Sequence, residues 1–224
     1  MVLACPTVTM LDEESSCVRD NLPFLLPNAT DGWRANTWVS TTNEPDVQRL
    51  AQLFGDELVT AAVQDQHERR HITVREYARW WADRTQSVRT KNDDEPWMYL
   101  KDWNFAASHA GWYTPPECFA DDWLNEHWLI NAYADGSAPD DGGGAGDHRF
   151  VYLGPEGSST PLHADIFFSH SWSVNLCGRK RWTLVPVEAQ GIVARENGVA
   201  YRDGLQRLRR YVATHGSHGV EPIQ

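Results

Sequence analysis

The sequence predicts an α+β chain in which helices precede a run of short strands. Three observations carry that reading. Two helical periodicities lie between residues 45 and 84, closely spaced β-forming segments begin at Arg149, and glycine or proline marks the turns between those segments. Strands so closely spaced suggest a barrel or a sandwich. The 224 residues, 41% hydrophobic and with 11 tryptophans, suit one large globular domain or a domain with an N-terminal elaboration. The division falls at residue 95, with 1–95 the N-terminal helical and strand elaboration and 96–224 the barrel.

The first helix starts from Pro45, because Val47, Leu50, Ala51 and Phe54 follow the i, i+3, i+4, i+7 pattern and Gly55 lies just past them. Leu58 to Val63 is apolar and rich in β-formers and reads as a strand, and the polar stretch through His67 and His71 reads as a loop. Thr73 and Glu76 form a T-x-x-E capping box. The helix it opens, with Val74, Tyr77, Ala78 and Trp81 on one face, runs to about Arg84. Lys91 to Glu95 is a charged loop, and Trp97 to Leu100 is the next strand. Asp121 to Trp128 reads as a short helix with acidic residues at the end where the helix dipole favours them. Residues 135–147, DGSAPDDGGGAGD, are too rich in Gly and Asp to pack and read as a disordered surface insertion. Strands are then expected at Phe150 to Leu153, Thr160 to Asp165, Ser169 to Leu176 and Lys180 to Val185, with turns at Gly154 to Gly157 and at Gly178. Beyond Pro186 the pattern weakens to one basic amphipathic stretch, Leu205 to Val212.

A formal net charge of −11 argues against a general attraction to nucleic acid or to anionic membrane. Cys5, Cys17, Cys118 and Cys177 are scattered, with no spacing that suggests a zinc site or a disulfide framework, so reduced thiols in the cytoplasm or nucleus are expected. The start, MVLACPTVTMLDEESSC, has no basic n-region, and the longest apolar runs fall far short of a bilayer span. Secretion and membrane association are not expected.

The chemistry centres on His163-Ala164-Asp165. Alternate residues of a strand point to the same side, so this imidazole and carboxylate can reach one point while Ala164 faces away. They make two-thirds of a two-histidine, one-carboxylate metal set, which leaves three positions of an octahedral ion open. Alone, an H-x-D triplet is a weak signal and reads as an ordinary structural or surface pair. Its neighbours change the odds: Thr160 lies three residues upstream, and Lys180 lies seventeen residues after His163. Lys180, Trp182 and Leu184 share one face of their strand, and an ammonium placed among apolar groups must be paired or must snorkel outward. The distal carboxylate of a bound dicarboxylic acid, held by Lys180 and Thr160, would pair it. An internal Lys-Asp or Lys-Glu pair, or a register that turns Lys180 outside, would serve as well.

Residues 150–155 (FVYLGP), 159–165 (STPLHAD) and 171–182 (SWSVNLCGRKRW) together resemble the core of Jumonji-C oxygenases, and within them the lysyl hydroxylase group called Jumonji domain-containing protein 4. Residues 99–103 (YLKDW) and 122–126 (DWLNE) resemble the same group, so the similarity covers most of residues 20–188. The resemblance implies a double-stranded β-helix, the cupin-like jelly roll, with His163 and Asp165 as iron(II) ligands and Thr160 and Lys180 as 2-oxoglutarate ligands. It also implies Ser173 as a polar neighbour of the co-substrate. The implied reaction uses O2 and 2-oxoglutarate to hydroxylate a carbon of a lysine side chain in a protein substrate, for this group a translation termination factor. Demethylation of histone lysines is the activity of related enzymes, and a catalytically inactive, protein-binding barrel is the reading of a different class.

The family's second histidine ligand sits on a late strand, well downstream of the lysine strand. Only His215 and His218 follow Lys180 here, both in a Gly- and Ser-rich stretch with no strand around it, so the last barrel strands and the third ligand are expected to be missing. His170 is a further candidate that reads better as a strand-surface residue. His67, His71, His109, His127 and His148 are expected to be structural or solvent-exposed. Tryptophans 80, 81, 97, 103, 123, 128, 172 and 182 read mainly as core rather than as a peptide cage, and Arg202, Arg207, Arg209 and Arg210 read as a solvated helix face.

Overall fold

The computed structural model describes residues 17–63, 68–87, 97–127 and 147–185, the side chains of 85–87 excepted. The chain divides into two compact units, Thr30–Ser159 with Leu176–Gly178, and Met1–Ala29 with Thr160–Asn175 and Arg179–Gln224. The loop at 91–95, the insertion up to residue 146, Trp128, His67, the basic stretch after Arg202, and His215 and His218 all lie outside the described residues.

The unit built on Thr30–Ser159 contains helix α1 (Val47–Phe54), strands β1 (Leu58–Val63) and β2 (Arg69–Thr73), helix α2 (Val74–Ser87), strand β3 (Met98–Trp103), a single helical turn α3 (Phe105–Ser108) and strand β4 (Val151–Leu153). The strands form one antiparallel sheet in the order β2-β1-β3-β4. Helix α1 starts where an acceptor meets its first amides: Asp46 Oδ1 accepts the Arg49 N–H at 2.8 Å. It buries Val47, Leu50, Ala51 and Phe54, the face that the periodicity selects. Gly55 ends it for a reason of space, not of dihedral angle. Its backbone is right-handed, and an added Cβ would strike the Ala51 carbonyl oxygen and come within 2.6 Å of the Arg75 guanidinium.

The capping box at the start of α2 is complete. Thr73 Oγ1 accepts the Glu76 N–H at 3.1 Å, and Glu76 Oε2 accepts the Thr73 N–H at 2.7 Å. The Thr73 N–H first, and second the Thr73 hydroxyl, which also donates to Glu76 Oε2 at 2.9 Å, hold the Glu76 carboxyl below its usual range. The helix continues past Arg84 to Ser87. Tyr77, 1% exposed, sends its hydroxyl to the backbone of two strands, with Leu153 O at 2.7 Å and Met98 O at 3.1 Å. One side chain therefore ties α2 to β3 and to β4.

The expected loop through His71 is instead an edge strand. β2 pairs with β1 in the register Val59↔Ile72 and Thr60↔His71. Its pattern is polar because an edge strand needs only the backbone ladder of its neighbour, and charged side chains such as Arg69 and Arg70 shield an open edge from further pairing. In β3 the register to β4 shifts between Leu100 and Trp103, and Asp102 sits at φ 56° within that irregularity.

The core of this unit is aromatic. Phe105, 1% exposed, meets Trp38 edge-on at 4.9 Å, Phe54 at 5.0 Å and Trp103 at 5.1 Å, and the His109 ring stacks on it at 4.5 Å. Of the tryptophans read as core, Trp80 and Trp103 are buried and Trp81, Trp97 and Trp172 are half-buried, whereas Trp123 and Trp182 are exposed. The buried Trp38 and Trp112 complete the cluster.

The segments 160–165, 169–176 and 180–185 form no strand among the described residues, and Trp182 alone has a single bridge position. Apolar alternation fits a segment to a sheet, but a strand exists only where a neighbour supplies the ladder. Among the described residues no ladder runs along these three segments beyond the single bridge at Trp182. The four-stranded sheet with its helices is therefore the architecture in view.

Candidate metal centre and co-substrate residues

His163 and Asp165 lie in the unit that contains Thr160–Asn175, and their side chains meet there. His163 Nδ1 is 2.8 Å from the Pro161 carbonyl oxygen, which can only accept, so Nδ1 carries the proton and donates. In the neutral ring that leaves the Nε2 lone pair facing Asp165 Oδ1 at 3.3 Å. Two acceptors held face to face repel unless a proton or a cation lies between them. Nitrogen and oxygen ligands on neighbouring positions of a six-coordinate ion, each bonded at about 2.1 Å, stand about 3 Å apart. The pair therefore fits a divalent transition metal, and iron(II) is within its donor preference.

The outer atoms of both groups are held. Ser171 Oγ donates to Asp165 Oδ2 at 2.6 Å. A 3-10 turn, Ile166–Phe168, carries the chain back to make that contact, and its Phe168 N–H reaches the Asp165 carbonyl at 3.1 Å. Phe167 and Phe168 both sit at φ 52° in this turn, a left-handed conformation that costs a bulky residue about 1–2 kcal/mol, and both rings are exposed. Among the described residues no group of three His, Cys, Asp or Glu side chains could hold a metal. His163 and Asp165 are two candidate donors brought together by the structure.

A second pair forms around the bend at Gly178, whose φ of 67° suits glycine. Lys180 Nζ donates to Ser173 Oγ at 3.4 Å and lies 4.3 Å from the centroid of the Trp182 ring. Lys180 and Trp182 share a side of the chain, as the alternation requires, and the ammonium stays exposed over the ring. An ammonium beside a hydroxyl is a fit partner for a carboxylate. Thr160 is exposed, and the described hydrogen bonds do not join it to either pair.

Sequence reasoning missed Ser171, because a hydroxyl six residues beyond an aspartate matches no spacing rule and reaches it only through a turn. It also missed Asn125, which is buried. Both Asp122 carboxylate oxygens accept from its amide, at 2.8 and 2.7 Å, and its Oδ1 accepts the His148 N–H at 2.7 Å. That clasp joins the 122–126 motif to the residues that enter β4. His109 meets Glu57 Oε1 at 2.6 Å, and Glu57 Oε2 accepts the Trp103 indole N–H at 3.1 Å, a structural use of both rings. His71, His127 and His170 are exposed.

No family model matches the chain, and no solved structure matches it. Known proteins do. The 2-oxoglutarate and iron-dependent oxygenase JMJD4 of Gallus gallus is 37% identical over 179 residues, 73% of this chain and 39% of that protein. JMJD4 of Homo sapiens is 38% identical over 175 residues, 74% of this chain and 39% of that protein. The arginine-specific demethylase JMJ20 of Arabidopsis thaliana is 37% identical over 177 residues, 74% of this chain and 37% of that protein. The chain spans about two fifths of the length of these relatives. With similarity of this extent added to the paired His163 and Asp165, the chain belongs to the Jumonji-C family of 2-oxoglutarate- and iron-dependent oxygenases.

Proposed function

We propose that the chain carries the first part of the catalytic centre of a protein hydroxylase, on a double-stranded β-helix, and that the complete enzyme oxidises a lysine side chain. The observation that carries this reading is the His163 and Asp165 pair, with Nε2 of one 3.3 Å from Oδ1 of the other and the second polar atom of each held by a hydrogen bond. His163 and Asp165 would hold iron(II), and Lys180, Ser173 and Thr160 would bind the distal carboxylate of 2-oxoglutarate. When bound, iron(II) with 2-oxoglutarate supplies the activation of O2 that lets an inert C–H bond be hydroxylated as the co-substrate becomes succinate. The chain's own residues do simpler work. Pro161 and Ser171 fix the orientation of the two ligands, and the Lys180 ammonium, screened on one side by the Trp182 ring, sets the end at which the dicarboxylate lodges.

The substrate we propose is a protein, with a translation termination factor as the first choice and the cytoplasm or nucleus as the compartment. A demethylase is the second reading, favoured by the name of the Arabidopsis relative. A binding module without turnover is the third, favoured by the two-donor metal set among the described residues. Incubation with 2-oxoglutarate, iron(II) and a translation termination factor separates them. Hydroxylation predicts succinate together with an added oxygen on a lysine; formaldehyde from a methylated peptide instead favours demethylation, and no succinate with any protein leaves the binding module.

A further inference from the structure

We infer that Ser171 is a positioning residue of the metal site, whose hydroxyl occupies one oxygen of Asp165 so that the carboxylate meets the metal through the other oxygen alone. The inference rests on the function proposed above. Ser171 Oγ donates to Oδ2 at 2.6 Å, and Oδ1 is the atom that faces His163 Nε2 at 3.3 Å. The two carboxylate oxygens are therefore already divided between a hydroxyl and the side that faces the imidazole.

That division decides how many positions of the ion stay open. A carboxylate that chelates through both oxygens takes two of six positions; one that binds through a single oxygen takes one. In the two-histidine, one-carboxylate set that the resemblance implies, a singly bound carboxylate would leave three positions, which is the number that a bidentate 2-oxo acid and O2 need. A hydroxyl hydrogen on Oδ2 ties up the second oxygen and fixes the plane of the carboxyl group, and a hydroxyl-to-carboxylate bond of this length belongs to the strong class. His163 is held in the parallel way, by Nδ1 on the Pro161 carbonyl. The 3-10 turn at Ile166–Phe168 is what returns Ser171 to Asp165.

Cobalt(II) chloride titrated into the full chain tests the inference without turnover, because the visible bands of the ion report its coordination. The wild-type chain is expected to bind cobalt, and His163→Ala to lose it. Ser171→Ala removes an exposed hydroxyl, so thermal stability should hardly change, while cobalt affinity falls about tenfold or more and the bands shift. Ser171→Thr keeps the hydroxyl and should restore affinity and bands. If the wild type binds cobalt and Ser171→Ala binds it equally well with the same bands, the positioning role is overturned and the metal site stands. If Ser171→Thr behaves as Ser171→Ala does, the hydroxyl is not the holder, and the inference also falls. A wild-type chain that binds no cobalt overturns the metal site itself, and this inference with it.

Discussion

Removing the Tyr77 hydroxyl tests the packing that supports this chain. In Tyr77→Phe the ring stays in its place among buried neighbours, and only the bond to the strand carbonyls is lost. The phenol has one hydrogen and two acceptors, and the shorter contact, 2.7 Å to Leu153 O, takes most of it. Loss of a net hydrogen bond costs about 1 kcal/mol, and a carbonyl left without its partner in a buried place raises the total to about 1–3 kcal/mol. Chemical denaturation should register that loss as a lower midpoint with an unchanged slope. There is also an alkaline signature. Burial pushes the Tyr77 phenol above its ordinary range, so folding favours the protonated form. Its contribution is complete below the ordinary tyrosine value near pH 10 and is lost as pH rises beyond it. Wild-type stability should therefore fall more steeply above pH 10 than that of Tyr77→Phe. Equal stability of the two proteins at neutral pH, within about 0.5 kcal/mol, would refute the clamp between α2, β3 and β4.

Four further substitutions test other parts of the fold. Thr73→Ala breaks the capping box and should cost about 1 kcal/mol by thermal or urea unfolding. The Glu76 carboxyl, held below its usual range by Thr73, adds stability at neutral pH that disappears as pH falls through its depressed value, so Glu76→Gln should flatten the acid side of the stability curve. Gly154→Ala would put a methyl 2.6 Å from the Tyr99 ring and against the Ser158 side chain, and should cost about 1–3 kcal/mol, whereas Gly157→Ala, with open space at φ 89°, should cost about 1 kcal/mol; circular dichroism melts compare them.

The legible parts of the sequence were those set by local rules. The four apolar positions of α1, the T-x-x-E box of α2 and the apolar, β-forming run of β1 each state their structure within a few residues, and all three are found. β2 was hidden because an edge strand takes its form from a partner ladder and not from its own apolar residues. The segments at 160–165, 169–176 and 180–185 have the alternation of strands without a described neighbour to pair with, which is the same rule with the opposite outcome. The structure brings together His163 with Asp165 and Lys180 with Trp182, pairs whose members lie two residues apart in the sequence. Ser171 and Tyr77 act through chain reversals of six and 76 residues, which no short pattern contains.

The central claim is that His163 and Asp165 hold an iron(II) to which 2-oxoglutarate binds. Anaerobic titration of iron(II) and 2-oxoglutarate into the chain, followed by visible absorbance, tests it most directly. The account predicts a weak charge-transfer band that saturates with both components and is abolished in His163→Ala. A wild-type chain with no band, or a His163→Ala chain with the same band, would contradict it.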